Sequence, residues 1–341
     1  MESHVVVNAV VVALVAFGVY VGRAIRRDRL WREALGQVWR RQPVPIVVLA
    51  LWVAVALLDS VAWIGGERSG EDVLAQHEAR SAIDRIFQGV AEASYSAPRA
   101  EVLFEDPLQQ LNDPAGHPLG TDIIGRDVLH RTLKGARVAL LIGGLTSAIA
   151  IPLALLLGVS AGYFGGRIDD VVFFVMSTLS SIPSLLLLIA IIMALDRGTL
   201  QVCVALGITS WVSLCRVSRG ETLKLRELDY VQAARALGVS EPRIILRHIL
   251  QNLLHLIVIS FVLLFSGQVI AETVLAYLGI GVEGSWGQMI DQARNELSRE
   301  PIIWWNIAAA GSAVFSLLLA VNFIGDAMRD VLDPRTARER E

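Results

Sequence analysis

Residues 227–251 read ELDYVQAARALGVSEPRIILRHILQ. Positions 229–237 are good helix formers, and Gly238 supplies the left-handed conformation on which helices commonly end. Ser240 is a candidate N-cap for a second helix whose first turn tolerates Pro242. The stretch therefore predicts a short helix, a sharp turn and a long second helix that continues into the apolar run beyond residue 251. On the short helix, Ala233, Ala234 and Ala236 leave a low-relief surface flanked by Tyr230, Arg235 and Leu237. Such a surface fits a groove on another protein. It fits an ordinary solvated helical hairpin as well, and spacing alone does not separate the two.

The apolar run that follows is one of seven. A membrane helix needs about 20 mostly apolar residues, and runs meeting that need fall at 5–22, 44–64, 137–162, 171–195, 200–216, 252–278 and 302–325. The first reads as an uncleaved anchor with an outside N-terminus, because its positive charges follow it; a secretory signal peptide is the competing reading. Composition agrees: 54% of the 341 residues are hydrophobic and 18% charged, with mean hydropathy +0.55. So few charges do not keep a water-soluble surface wet. The net charge of -3 and a pI near 6.1 give no global basic field for nucleic acid.

Lys and Arg in short loops orient the spans. Seven arginines lie in 23–43 and seven basic residues in 216–248, and Arg329, Arg335, Arg338 and Arg340 follow the last span, so these three segments are expected in the cytoplasm. The connections 65–136, 196–199 and 279–301 then lie outside, with Trp304 and Trp305 as an interfacial belt where the last helix enters. In the long outer loop, Ala79, Ile83, Ile86, Phe87 and Val90 recur at helical spacing within 71–93, predicting a docked amphipathic helix that serves as a lid or as a surface for an extracytoplasmic partner. Thr121 is a candidate N-cap for a second amphipathic turn holding Val128, Leu129 and Leu133.

Ionisable residues inside spans are functional candidates because burying charge in lipid is costly. Glu272, near the outer end of the sixth run, is a candidate translocation-pathway residue; it and Asp59 are also placed where they could snorkel to the interface. No chain of carboxylates or histidines crosses the bilayer, which argues against a proton-coupled pump. Gly158 and Gly162 form a GxxxG pair suited to close helix packing, and Pro152 and Pro183 predict kinks. HExxH, GxSxG and GxxxxGK[ST] are absent, so no catalytic residues and no P-loop are assigned. Cys203 and Cys215 make no CxxC pair and the six histidines have no ligand spacing, so neither metal nor cofactor is expected.

The stretch at 227–251 resembles the EAA loop of ABC importer permeases: Gln232-Ala233-Ala234, Gly238 four residues after Ala234, then Ile249-Leu250-Gln251. Gln232 stands where that pattern has an acid, and Gln251 where it has proline. The resemblance extends to the dipeptide, oligopeptide and nickel permeases of the DppC/OppC type. It is carried by GTDIIGRDVL at 120–129, GYFGG at 162–166 with Asp169, LGIG at 278–281, SWG at 285–287, and Asn322, Gly325-Asp326, Arg329-Asp330 and Leu332-Asp333-Pro334-Arg335. Ser177 replaces an aspartate often found in that group, which usually has six spans.

The resemblance implies an all-α, polytopic, type I ABC importer (MetI-like) transmembrane domain with an extra N-terminal helix. Its expected parts are an extra transmembrane segment and basic linker (1–43), a first family-type helix (44–64), an enlarged periplasmic loop (65–136), a permease core (137–328) and a cytoplasmic tail (329–341). Tyr230, Gln232, Ala233, Ala234, Arg235, Leu237 and Gly238 would couple the membrane helices to an ATPase. The implied partners are two ABC ATPase subunits, a second DppB/OppB-like permease, a periplasmic or lipid-anchored substrate-binding protein and the bilayer of the inner (plasma) membrane. The implied function is a permease subunit of an ATP-driven importer, with peptides the favoured substrate over nickel chelates or sugars. An accessory or structural subunit of another transport or export complex would use a docking helix too.

Overall fold

The computed structural model describes residues 36–63, 80–87, 92–103, 109–195 and 198–332. The helices are α1 (Pro43–Ser60), α2 (Ala82–Ile86), α3 (Val128–Phe164), α4 (Gly166–Ser181), α5 (Ser184–Leu195), α6 (Thr199–Leu225) and α7 (Asp229–Ala236). There follow α8 (Glu241–Ile244), a π-helical turn (Ile245–Ile249), α9 (Leu250–Asn252), α10 (Leu254–Tyr277), α11 (Trp286–Glu296) and α12 (Trp305–Leu332). Among the described residues, α1, α3, α6, α10 and α12 are long and apolar enough to cross a membrane, and α4 with α5 makes a sixth crossing if the bent pair counts as one. The run at 5–22 lies outside the described residues.

Three expectations from the sequence change here. The run at 171–195 is two helices bent by 92° at Ile182–Pro183. Pro183 has no N–H to donate and biases the residue before it away from helical backbone, and Ile182 is extended at φ -93, ψ 131. Thr121 caps no helix; it pairs with Asp127 in a β-bridge. Asp127 instead accepts from the His130 N–H at 2.8 Å, and the helix that starts at Val128 is α3 itself, 37 residues long. The expected lid helix at 71–93 is helical, within its described part, only over the five residues of α2.

Two compact units divide the chain. The first comprises Met1–Leu140 and Thr273–Ala320. Here β1 (Ala62–Trp63) pairs antiparallel with β2 (Arg80–Ser81), and Ser81 and Asp84 form a reciprocal capping box on α2. Trp286 anchors the packing: it stacks edge-on against Trp52 at 5.1 Å and donates to the Thr132 carbonyl at 2.7 Å. Gly135 makes room for it, since a Cβ there would sit 2.3 Å from the indole. Asp59 does not snorkel. It is fully buried, 3.3 Å from Arg137 and 3.5 Å from Lys134, and accepts from the Ser81 hydroxyl. The GTDIIGRDVL segment is organised around buried Asp122, which accepts from the N–H groups of Ile124 and Arg126 and from the guanidiniums of Arg126 and Arg131.

Glu92 plays the same part for the chain before it. Burial alone would raise its pKa, but the N–H groups of Ala93, Asp113 and Asn112 more than offset that and hold it below the usual range. A folded-state pKa held low means a contribution that is full above the ordinary glutamate value of about 4.3 and lost as pH falls through the depressed one. Glu92→Gln is therefore expected to raise protease cleavage of 92–127 at pH 7 by about tenfold, since hydrogen bonds to a charged group contribute ~1.5–3 kcal/mol each. Acid-stable protease digests should show that excess shrinking below pH 4.

The second unit comprises Leu141–Glu272 and Val321–Glu341. Its centre is the contact of α3 with α6. A Cβ on Gly158 would lie 2.1 Å from Ser218 Oγ, and one on Gly162 would lie 2.7 Å from the Arg219 carbonyl, so the GxxxG pair seats α3 directly on α6. Ala150, Ala154 and Ala161 continue that face against Trp211, Leu214 and Cys215, with Val172 and Met176 of α4 closing the cluster. Both cysteines are buried thiols. Glu272, like Asp59, is buried within the protein at 4% exposure.

Candidate coupling site

Eight residues form α7, too few to be stable in water without tertiary packing. Asp229 in the first turn suits the positive end of the helix dipole. Val231 and Ala234, three apart on one face, are buried against Val159 and Tyr163 of α3 and against Ile244, Ile249 and Leu253. The helix ends as its glycine predicts. Gly238 has φ +74, its N–H bonds the Arg235 carbonyl and the Val239 N–H bonds the Ala234 carbonyl, which is the Schellman pattern. The Leu-Gly pair at 278–279 closes α10 by the same two bonds, from Gly279 to Ala276 and from Ile280 to Leu275.

Beyond the turn the expected long helix is interrupted. Ser240 occupies the N-cap position with extended backbone, but its hydroxyl makes no cap bond, and Pro242 sits in the first turn of α8. The π-helical turn Ile245–Ile249 follows, and at Leu253 one N–H is shared between the carbonyls of Ile249 and Leu250 before α10 begins. Such insertions in the helical ladder commonly mark functional hinges. The segment from 240 to 278 is thus jointed where a single rigid rod was expected.

Polar tethers fasten this hairpin to the C-terminal end of α3. The Tyr163 hydroxyl donates to Glu241, while the Arg235 guanidinium lies 5.2 Å from the Tyr163 ring centre and 3.8 Å from Glu241. Arg226 donates to the Gly162 carbonyl at 2.9 Å, and Gln232 donates to the Arg226 carbonyl at 3.1 Å. Asp169 on α4 receives both guanidinium arms of Arg219. Tyr163 is 4% exposed, so a displacement of α7 meets a ring that cannot yield without moving α3.

Of the seven residues predicted to couple to a partner, Tyr230, Gln232, Ala233, Arg235, Leu237 and Gly238 are exposed, and Leu237 is the most open at 84%. Ala234 faces inward and belongs to the joint with α3. Glu272 lies apart from this set, on α10. Sequence reading missed Tyr163, Glu241 and Val231. Val231 was detectable as the apolar position three before Ala234, whereas Tyr163 and Glu241 lie 78 residues apart and carry no local sign of pairing.

Among the described residues, five helices long and apolar enough to cross a membrane, with the short α7 packed against α3, have the make-up of a polytopic membrane protein. Residues 154–338 match the model for the binding-protein-dependent transport system inner membrane component, and the chain belongs to that family. It is a multi-pass inner-membrane permease subunit, with the all-α fold of a type I importer transmembrane domain. It is 33% identical over 233 residues to the dipeptide transport system permease protein DppC of Bacillus subtilis, covering 67% of this chain and 72% of that one. It is 35% identical over 224 residues to the oligopeptide transport system permease protein OppC of Escherichia coli K12, covering 65% and 73%. To a putative peptide transport system permease protein of Brucella abortus it is 39% identical over 227 residues, covering 65% and 75%. The MetNI methionine ABC transporter, solved in inward-facing conformations, aligns at TM-score 0.47 and 17% identity, covering 59% of this chain and 97% of that one.

Proposed function

We propose that this chain is one of two permease subunits of a peptide importer powered by two ABC ATPases. A DppB/OppB-like permease is its partner, and a periplasmic or lipid-anchored binding protein delivers substrate to the outer face. The observation that carries this reading is the two-sided α7: Val231 and Ala234 weld one side to α3, while Tyr230, Gln232, Ala233 and Leu237 stay open on the other. The open side docks in an ATPase groove. When nucleotide brings the ATPases together, α7 moves, Tyr163 carries that motion to α3, and the joint at 245–253 lets α10 re-aim. The C-terminus lies on the same cytoplasmic side as α7, in keeping with the arginines after residue 325. The relatives named as peptide permeases support the substrate class.

Reconstitution of the intact transporter in proteoliposomes tests this directly. ATP inside and binding protein outside should give inward accumulation of labelled di- or oligopeptide. Outward flux, or ATP hydrolysis with no peptide movement, would contradict the reading.

A further inference from the structure

A cleft of about 550 Å³ opens where α4 breaks into α5, with α6 forming its other wall. Six of its lining side chains are hydroxyls, and its one charged side chain is Arg216. Ser181, Thr209 and Ser210 donate to carbonyls of their own helices, which leaves their lone pairs turned to the cleft's contents. The hydroxyls of Ser180, Ser184 and Ser213 make no hydrogen bond among the described residues. Arg216 is exposed and has no carboxylate partner among them, while its neighbour Arg219 is engaged with Asp169.

Depth makes this arrangement informative. Arg216 is 17 residues beyond Thr199, where α6 begins. That is about 25 Å along the helix at ~1.5 Å per residue, which sets Arg216 at the inner boundary of a hydrocarbon core about 30 Å thick and Thr209, Ser210 and Ser213 about one to two turns deeper within it. Irregular backbone such as that at Ile182–Pro183 does not face lipid within the hydrocarbon core; it lines water or protein. The break at Ile182–Pro183 also leaves the first-turn N–H groups of α5 without carbonyls four residues back in the helix, a partial positive charge beside the same cleft. A guanidinium beside hydroxyls whose protons are free to donate, here those of Ser180, Ser184 and Ser213, suits a carboxylate, since its planar fork matches the two oxygens.

We infer that this cleft is a station for the C-terminal carboxylate of a peptide in transit, with Arg216 as its receptor and the hydroxyls of Ser184 and Ser213 as flanking donors. The inference rests on the peptide-importer reading and deepens it. Every linear peptide carries that carboxylate whatever its side chains, so a station of this kind guides cargo of many sequences with one charge. Being exposed and ordered by packing elsewhere on α6, Arg216 can be replaced without a fold penalty.

The test compares uptake of trialanine and trialanine amide by the intact transporter in proteoliposomes. In Arg216→Gln, trialanine uptake is expected to fall about tenfold while uptake of the amide changes less than twofold. Arg216→Lys, which keeps the charge and loses the fork, should lie between. Dividing variant by wild-type rate for each peptide cancels any preference of the binding protein. Equal losses for both peptides would mean that Arg216 serves assembly or packing, and no loss for either would mean that the carboxylate passes elsewhere; both overturn the station while leaving the importer standing. A wild-type transporter that moves neither peptide would overturn the peptide reading and the station with it.

Discussion

Ala234→Arg is expected to cut peptide uptake by the reconstituted transporter at least tenfold while the assembled complex retains half or more of its ATP hydrolysis. Ala234 is 8% exposed and packed against Val159 and Tyr163. An arginine there overfills the joint, at a cost of ~1–3 kcal/mol for the volume alone, and places a charge in an apolar contact, which adds to it. Since about 1.4 kcal/mol is a factor of ten in rate, prising α7 off α3 is enough to break transmission while the exposed docking side stays intact. Gly238→Pro should behave alike for a different reason. No atom lies within 4 Å of a Cβ built on Gly238, so space is not limiting; proline cannot reach φ +74 and removes the N–H that bonds Arg235. Peptide moved per ATP hydrolysed is the quantity to measure, with Ala234→Ser as the control that fits. Unchanged stoichiometry in both variants would sink the coupling assignment.

The second large effect is on stability. Asp122→Leu should lower the thermal unfolding midpoint of the purified protein more than any surface substitution, by an equivalent of about 3–5 kcal/mol, the usual cost of removing one partner of a buried ion pair. Asp122 is fully buried and Arg131 is 8% exposed with one guanidinium nitrogen already lacking a hydrogen-bond partner. Without the carboxylate, Arg131 keeps only the Gln292 side-chain oxygen, and the N–H groups of Ile124 and Arg126 lose their acceptor. Asp122→Leu combined with Arg131→Met should recover part of the loss, because replacing both partners removes the stranded charge. A double variant no better than the single one would show that the backbone acceptors, and not the ion pair, dominate.

Local codes were the legible ones. Apolar runs placed one end each of α1, α6, α10 and α12 to within a few residues, and Leu-Gly at 237–238 announced a helix end because only glycine adopts its backbone without strain. Pro183 signalled a kink, yet the extent of the break depends on Ile182 turning extended, which tertiary packing decides. Hydropathy could not show that α3 starts at Val128, since Val128, Leu129 and Leu133 are interleaved with His130, Arg131, Thr132 and Lys134, and the segment is held by Asp122, Trp286 and the Asp127 cap. Nor could it show Ala234 facing inward: three alanines in a row of four look alike until Val231, Tyr163 and Ile244 select one face. For Asp59 and Glu272 the sequence leaves snorkelling open, because depth along a helix says nothing of which side is covered by protein.

The central claim is that the open side of α7 meets an ATPase, and cysteine labelling tests it most directly. Native Cys203 and Cys215 are buried, so a maleimide added to membrane vesicles should read a single introduced thiol. Leu237→Cys, at the most exposed site of the hairpin, should label slowly in the assembled transporter and at least tenfold faster once the ATPases are stripped away. Equal labelling before and after stripping would contradict the account.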